Sequence, residues 1–234
     1  MAFIRNIRVL APANSPNTDA IDPFASSNMV IEHVYADVGD DNIAIKSGAI
    51  NSPGPDSPSK NITITDCTFE HGHGLSIGSE IAGGVQNVRA MRIHFKGTDQ
   101  GIRIKANRDR GGDVSNISVR DIDMTDVKTA ILITEFYPGV PPEGPYPPQP
   151  VTRLTPFFHN IRIENLTAAN SKVAGQIFGL PESPVKDIVL RNVHIAAASG
   201  MVISNATVNF DKVSIKADSG KNIDVRPSAK LMVK

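Results

Sequence analysis

Two adjacent aspartates, Asp40 and Asp41, open an alternating apolar segment in the stretch GDDNIAIKSG. The isoleucines at positions 43 and 45 recur every second residue, which is strand periodicity. Neighbouring carboxylates repel each other, so the pair belongs either to a solvated turn or to a site that needs two acids at a fixed separation. Such a pair suits general acid–base hydrolysis, because one acid must donate a proton to a leaving oxygen while the other deprotonates water.

An internal repeat predicts the elements that position these acids. A four-residue motif of asparagine, apolar residue, any residue and apolar residue recurs as NIRV from Asn6, NMVI from Asn28, NITI from Asn61, NVRA from Asn87, NISV from Asn116 and NIRI from Asn160. A second short strand follows in each unit. Units of irregular length in one reading frame are typical of a parallel β-helix, whose coils stack about 4.8 Å apart.

The alternative architecture is an antiparallel sandwich, but Asn-Gly and Asp-Gly hairpin signals are missing between the strands. The sequence therefore predicts an all-β parallel β-helix of about seven to eight coils. We expect one domain over residues 1–234, with loop insertions near 47–60 and 138–156. The proline-rich stretch PGVPPEGPYPPQP cannot form regular structure, and the repeat resumes after it with FHNIRIEN.

The repeat frame predicts which residues meet. Aligning the second strands stacks Ile21, Ile43, Leu75, Ile102 and Ile131, and the residues two positions earlier are Asp19, Asp41, His73, Gln100 and Thr129. Three consecutive coils therefore bring Asp19, Asp40, Asp41 and His73 to one patch. Arg103 and Lys105 join it from the next coil, on the outer face, because alternate strand residues leave by opposite faces. Two cations there could neutralise the acids or bind a ligand carboxylate, for which arginine offers a planar fork.

Composition restricts the function classes only partly. Lys plus Arg and Asp plus Glu both number 24, so net charge indicates no particular partner. We expect no nucleic-acid partner and, since no apolar run approaches 18 residues, no membrane partner. No secretory signal is visible, and the single cysteine, Cys67, is expected to be buried on a strand. His71 and His73 lack a third ligand at suitable spacing, so we expect neither a metal nor another cofactor.

Four short blocks resemble the motifs of glycoside hydrolase family 28, the polygalacturonases: Asn17-Thr18-Asp19, Gly39-Asp40-Asp41, Gly72-His73-Gly74 and Arg103-Ile104-Lys105. They occur in the family's order, with one block per consecutive coil, and their flanks resemble bacterial members. The resemblance runs from about residue 3 to the last coil. Any single block is weak, whereas four in register are specific.

The resemblance implies a right-handed parallel β-helix that hydrolyses α-1,4 galacturonosyl bonds of pectin with inversion, in a secreted or periplasmic protein. By the family's pattern Asp40 would be the general acid, Asp19 with Asp41 would hold and activate the water, and His73 would tune the acid. Arg103 and Lys105 would bind galacturonate carboxylates. Asn17 in the first block and Tyr137, at a position where the family often has a tyrosine, would contact the polysaccharide.

One departure from the family pattern concerns the N-terminal side. Family members carry a capping helix and several coils before the Asn-Thr-Asp block, and this chain begins about one coil ahead of it. We therefore expect a fragment, a shortened natural form or a homo-oligomer that covers the open end. The alternatives to an enzyme are a β-helix that binds acidic polysaccharide without cleaving it, and a purely structural solenoid.

Overall fold

The computed structural model describes residues 1–139, 141 and 146–234. Across these residues the chain forms thirteen β-strands and no helix. The strands are β1 (Ala2–Leu10), β2 (Ser27–Asp37), β3 (Ile43–Ile45), β4 (Ser59–Glu70), β5 (Leu75–Ile77), β6 (Val85–Lys96), β7 (Gln100–Lys105), β8 (Asp113–Thr125), β9 (Thr129–Thr134), β10 (Phe157–Phe178), β11 (Val185–Ser204), β12 (Ala206–Val225) and β13 (Lys230–Val233). No helix in the described ranges could span a membrane.

All strand pairs within the described residues are parallel, and they form two stacks. One stack runs from β1 through β2, β4, β6 and β8 to the first half of β10. The other runs from β3 through β5, β7 and β9 to the second half of β10. The long strands β10, β11 and β12 bend through both stacks. Because each strand pairs with the equivalent strand one turn later, the chain winds as a parallel β-helix, as the sequence predicted.

Each repeat motif begins at a bend in the backbone. Asn28, Asn61, Asn87 and Asn116 have φ between 57° and 58°. This left-handed conformation costs most residues roughly 1–2 kcal/mol, whereas asparagine tolerates it. Their side chains also bond along the stack, since Nδ2 of Asn61 donates to Oδ1 of Asn28 at 3.0 Å and Asn87 donates to Asn61 at 3.0 Å. The motif therefore marks a corner of the coil as well as a strand.

The core consists of apolar columns inside the coils. One column, in register from turn to turn, is Ile31, Ile64, Ala90, Val119, Ile163, Leu190 and Phe210, all of them buried. Phe69 and Phe95 meet edge to face with their ring centroids 5.3 Å apart. Cys67 is a free, buried thiol in the same core, as its strand position predicted. Burial of these columns between coils supplies the main stabilising force of the fold.

The two segments expected as loop insertions lie outside the strands where the structure describes them, except that Ser59 and Lys60 at the end of the first segment already belong to β4. Residues 140 and 142–145 of the second segment fall outside the described part. Arg153, near the end of that segment, donates to Oδ2 of Asp56 in the first segment at 3.0 Å and also to the Ser52 carbonyl. The described parts of the two segments therefore contact each other on the side where β3, β5 and β7 end.

Candidate active site

The register of the short strands brings distant residues together. Ile43, Leu75, Ile102 and Ile131 are paired in succession across β3, β5, β7 and β9. The backbone N–H of Ala20 donates to the Asp41 carbonyl at 2.9 Å, which places Asp19 one coil before Asp41. The N–H of His73 donates to the Asp40 carbonyl at 2.9 Å from the coil after it. The frame read from the sequence therefore holds in the structure.

Asp40, Asp41 and His73 form the centre of the site. Each offers a ligand atom within 4.8 Å of the other two. His73 Nδ1 lies 3.0 Å from Asp40 Oδ1 and 3.9 Å from Asp41 Oδ1, although its angle to Asp40 does not suit a hydrogen bond. The Asp40 side chain is 24% exposed and that of Asp41 is 2% exposed. The adjacent acids thus have different environments, and only Asp40 is open to a substrate from solvent.

Donors from two later coils hold the Asp41 carboxylate. Ser76 Oγ donates to Oδ1 at 2.7 Å, and Lys105 Nζ donates to Oδ2 at 2.9 Å. Burial lowers the pKa of the Lys105 ammonium below its ordinary value, although the attraction of Asp41 opposes this shift. Because a carboxylate offers about four acceptor positions, these two bonds leave acceptor positions of Asp41 unused.

Arg103 and Lys105 lie on the Asp41 side of β7, while Ile102 and Ile104 point into the core. The side chains of both cations are nevertheless buried, with 8% and 5% exposed. An outer face had suggested exposure, but contacts with Asp41 and with the Tyr137 ring, 5.2 Å from Lys105 Nζ, cover them. Burial strengthens the interaction of these cations with any carboxylate that reaches them.

Asp19 lies in the same column but outside the central cluster. Lys46 Nζ donates to Asp19 Oδ2 at 3.0 Å and to Asp22 Oδ2 at 2.8 Å. Burial raises the pKa of Asp19, but the bond and charge of Lys46 outweigh it, so the pKa lies below its ordinary value. Burial, together with the negative charge of Asp19, raises the pKa of Asp22. Lys46 therefore keeps Asp19 ionised beside the central acids.

A groove of 360 Å³ adjoins the cluster on the side of the later coils, lined by His73, Gln100, Arg103, Thr129, Tyr137 and Gln176 among others. Tyr137 is half-buried, and the Arg110 guanidinium lies 5.6 Å from its ring. Larger grooves of 630 and 760 Å³ lie on other faces, but they contain none of the clustered acids. The groove beside His73 is therefore the candidate active site because it adjoins the clustered acids, although it is not the largest of these three grooves.

Asn17, like Asp19, is a predicted site residue that lies outside the central cluster. It is exposed, with a left-handed backbone at φ 54°, and no contact within the described ranges joins it to Asp40 or Asp41. Its neighbour Thr18 is tied in place, because its Oγ1 donates to the Ser15 carbonyl and accepts from Gly39 N–H. The block containing Asn17 therefore fixes the turn that carries Asp19.

Three site residues had no predicted role, although each stands in an aligned column. Ser76 and Lys46 contact the acids directly, and Gln100 accepts a 2.6 Å hydrogen bond from Arg103 Nη1. Their polar side chains, in columns aligned from coil to coil, were the available signal. The alternation of residue types predicts a face, but it does not identify the partner of a side chain.

The central cluster has the spacing of a divalent cation site, yet its charge opposes one. Asp40, Asp41 and His73 supply two carboxylates and one imidazole. The ammonium of Lys105 and the guanidinium of Arg103 lie 2.9 and 3.6 Å from Asp41. A cation bound there would be repelled by both groups, so the donor set fits acid–base chemistry better than a metal.

Glu135, just before Phe136 and Tyr137, is an unexpected buried acid. It is fully buried, and burial raises its pKa well above the ordinary value. Oε2 accepts from the Leu180 N–H at 2.7 Å, whereas Oε1 has no hydrogen-bond partner among the described residues. Through its bond to the Leu180 N–H, Glu135 anchors the start of the segment that carries Tyr137.

The fold and the site define a parallel β-helix protein that holds two adjacent acids beside two buried cations. The sequence profile described as "Glycosyl hydrolases family 28" matches residues 2–219, so the chain belongs to this family. Membership confirms the resemblance read from the four motif blocks. The solved relatives in this family bear out the right-handed parallel β-helix.

Individual relatives agree with this membership. A "Probable polygalacturonase" of Vitis vinifera is 35% identical over 205 residues, which are 86% of this chain and 41% of the relative. The "Endo-polygalacturonase" of Pectobacterium carotovorum subsp. carotovorum is 31% identical over 200 residues, covering 86% of this chain and 46% of the relative. The crystal structure of an exopolygalacturonase from Thermotoga maritima superposes with a TM-score of 0.77 at 31% identity, covering 94% of this chain and 48% of that one. The chain thus spans less than half the length of these relatives.

Proposed function

We propose that this chain is a polygalacturonase-type glycoside hydrolase that cleaves α-1,4 galacturonosyl bonds of pectin. The observation that carries the proposal is the pair Asp40 and Asp41, whose side chains are 24% and 2% exposed beside two buried cations. One acid is accessible to a glycosidic oxygen, and the other is fixed where it can orient water. The names of the relatives support the acidic polysaccharide as substrate.

In the proposed mechanism Asp40 is the general acid. Its proton passes to the glycosidic oxygen while the bond from that oxygen to the anomeric carbon breaks. A water molecule attacks the anomeric carbon from the opposite face and loses its proton to Asp41 or Asp19. Attack opposite the leaving group inverts the configuration of the anomeric carbon, as in inverting glycosidases.

The supporting side chains have separate roles in this proposal. His73, 3.0 Å from Asp40, tunes the acid. Arg103 is the better placed of the two cations to bind a galacturonate carboxylate, because its nearest approach to Asp41 is 3.6 Å, whereas Lys105 is hydrogen-bonded to Asp41. Lys105 then serves both to neutralise Asp41 and to attract the substrate. Tyr137 lines the groove beside them, and Asn17 contacts the polymer from the preceding coil.

Three further sequence predictions remain part of the proposal. We infer a single solenoid domain over residues 1–234, because the described strands form one continuous pairing path. A polymeric pectin substrate favours a secreted or periplasmic protein. A homo-oligomer that covers the first coil stays a prediction, which the molar mass in solution would test.

The test compares Asp40→Asn with the wild type in a reducing-sugar assay on polygalacturonate. We expect kcat to fall by about 10²–10⁴-fold, the usual contribution of a general acid, while polymer binding persists. Asp123→Asn is the matched control, because Asp123 is an exposed acid on the other stack of strands and should leave activity unchanged. If the wild type releases no more sugar than Asp40→Asn while both bind, the chain is a binding protein and the enzyme proposal fails.

The stereochemical claim has an independent test. Proton NMR of the first product from a galacturonate oligomer should show the β anomer. An α anomer would mean retention, and the single-displacement mechanism with a water between the acids would then be wrong even if the chain is active.

A further inference from the structure

Asp41 and Arg103 are buried, oppositely charged neighbours that do not hydrogen-bond to each other. Their closest atoms, Asp41 Oδ1 and Arg103 Nη1, are 3.6 Å apart, and their side chains are 2% and 8% exposed. Each of these two atoms bonds an uncharged side chain instead. Ser76 Oγ donates to Asp41 Oδ1 at 2.7 Å, and Arg103 Nη1 donates to Gln100 Oε1 at 2.6 Å.

We propose that Ser76 and Gln100 are positioning residues that keep Asp41 and Arg103 from forming a closed ion pair. Ser76 satisfies the carboxylate oxygen that Arg103 would otherwise take, and Gln100 holds the guanidinium back. Arg103 thereby stays available for a galacturonate carboxylate, and Asp41 stays available for the attacking water. The inference rests on the proposed function and assigns two uncharged residues to it.

The fold explains why these two side chains can act together. Ser76 on β5 is in register with Arg103 on β7, so its short side chain reaches Asp41 from the intervening coil. Gln100 lies three residues before Arg103 at the start of the same strand. Lys105 already supplies Asp41 with a counter-charge at 2.9 Å, so the carboxylate does not need Arg103 for neutralisation.

Uncharged partners suit this purpose because their bonds are weaker than an ion pair. A carboxylate at position 100 would hold Arg103 by charge and compete with the substrate. Each present bond involves one charged group, whereas an arginine–carboxylate pair adds the attraction of two opposite charges in a buried site, so without Ser76 the gap of 3.6 Å should close. A closed pair would remove both groups from catalysis at once.

The kinetic test is a double-mutant cycle with Arg103→Gln. Ser76→Ala and Gln100→Ala should each raise KM on the order of tenfold in the wild-type background and leave KM unchanged in the Arg103→Gln background. Ser76→Cys, a weaker donor of similar size, should give an intermediate KM. Ser115→Ala is the matched control, since Ser115 is also a buried serine that donates to an aspartate, at 2.8 Å, but lies on the other stack of strands. Equal effects in both backgrounds would overturn the inference, because a merely structural role does not depend on Arg103.

Binding measurements separate this inference from the proposed function. In the Asp40→Asn background, titration calorimetry with a galacturonate trimer should show weaker binding when Ser76→Ala or Gln100→Ala is added, on the order of tenfold. If the wild type does not cleave pectin but the added substitutions still weaken binding, the enzyme proposal fails and the inference stands. Unchanged trimer affinity overturns the inference whatever the activity. Gln100 is only half-buried, so its variant provides the result even if Ser76→Ala unfolds.

Discussion

Two stacks of residues in this molecule obey the same register but use it differently. At the coil corner Asn28, Asn61, Asn87 and Asn116 are identical from turn to turn and are linked by amide hydrogen bonds of 3.0, 3.0 and 3.2 Å. Two residues before the aligned apolar residues of the second strands, the equivalent column is Asp19, Asp41, His73, Gln100 and Thr129, in which every coil except the first two has a different residue type. The asparagines are exposed, whereas Asp41 is buried.

This difference shows what a parallel β-helix offers to a site. Backbone pairing fixes each position about 4.8 Å from its neighbour, whatever the side chain is. Where like residues stack, their contacts stabilise the repeat. Where unlike residues stack, groups with opposite chemical requirements become neighbours although they lie far apart in sequence. The asparagine column therefore affects mainly stability, and the acid column mainly activity.

Among the substitutions that test this comparison, Lys105→Met should have the largest effect, because Lys105 is bonded to Asp41 of the acid column. Lys105 is the hydrogen-bonded counter-ion of Asp41, at 2.9 Å, so its loss leaves a buried carboxylate with Arg103 as its nearest cation. Removing one partner of a buried ion pair typically costs about 3–5 kcal/mol. We expect urea unfolding to show a loss of this order and kcat/KM to fall on the order of a hundredfold.

Arg92→Met is the control for the loss of a cation. Arg92 contacts Asp66 through two hydrogen bonds of 2.7 and 2.8 Å, but it is exposed to solvent on another face. Its removal should change stability little and activity not at all. If Lys105→Met were as stable as the wild type, Arg103 would have replaced Lys105 as the counter-ion, and burial would not explain the pair.

Much of this arrangement could be predicted from sequence, because the frame of the repeat determines which residues of successive coils lie next to each other. The alignment of Ile43 with Leu75 and Ile102, and of Asp41 with His73, followed from the frame alone and is confirmed by the pairing. Roles of individual residues stay predictions, since they came from the resemblance to the family.

The sequence did not reveal the partners of the site's side chains. Alternation places Ser76 and Arg103 on one face, but a rotamer decides that Ser76 donates to Asp41 while Arg103 turns to Gln100. The burial of Arg103 was also missed, because the neighbouring coils and the segment with Tyr137 close over it. The period of the repeat predicts where a residue lies in its coil, whereas the burial of its side chain depends on how the inserted segments fold over the strands.

Asn87→Ala should have an intermediate effect, confined to stability. Asn87 has φ 57° and both donates to Asn61 and accepts from Asn116 along the column. Alanine in this left-handed conformation costs roughly 1–2 kcal/mol, and the amide bonds are lost as well. We expect a lower midpoint in urea unfolding and unchanged kcat/KM on polygalacturonate.

Asn87→Gly separates the two causes. Glycine tolerates the positive φ but cannot form the side-chain bonds, so it should be less destabilising than alanine. If both variants lost the same stability, the loss would come from the side-chain amide bonds alone and not from the left-handed backbone. A loss of activity with retained stability would contradict the division of the molecule into a stability column and an activity column.

Lys46→Met should have the smallest effect, a displaced pH profile. Burial raises the pKa of Asp19, but Lys46 more than offsets it, so the carboxyl is ionised well into the acidic range. Without Lys46 the effect of burial, which raises the pKa of Asp19, is no longer outweighed. If Asp19 must be ionised to hold water, the acidic limb of kcat/KM should move to higher pH. Lys221→Met, which removes an exposed lysine paired with Asp224, is the control and should leave the profile unchanged.

The lowered pKa of Asp19 also predicts how the stability of Lys46→Met depends on pH. A carboxyl whose pKa is lowered on folding contributes stability at pH values above its unfolded pKa, and this contribution is lost as pH falls through the folded pKa. Lys46→Met removes the lowering, so the variant should lose stability relative to the wild type at neutral pH and approach it again in strong acid, where Asp19 is protonated in both. A limb that does not move would mean that Asp19 is not the ionised group that activity requires, and that Asp41 alone holds the water.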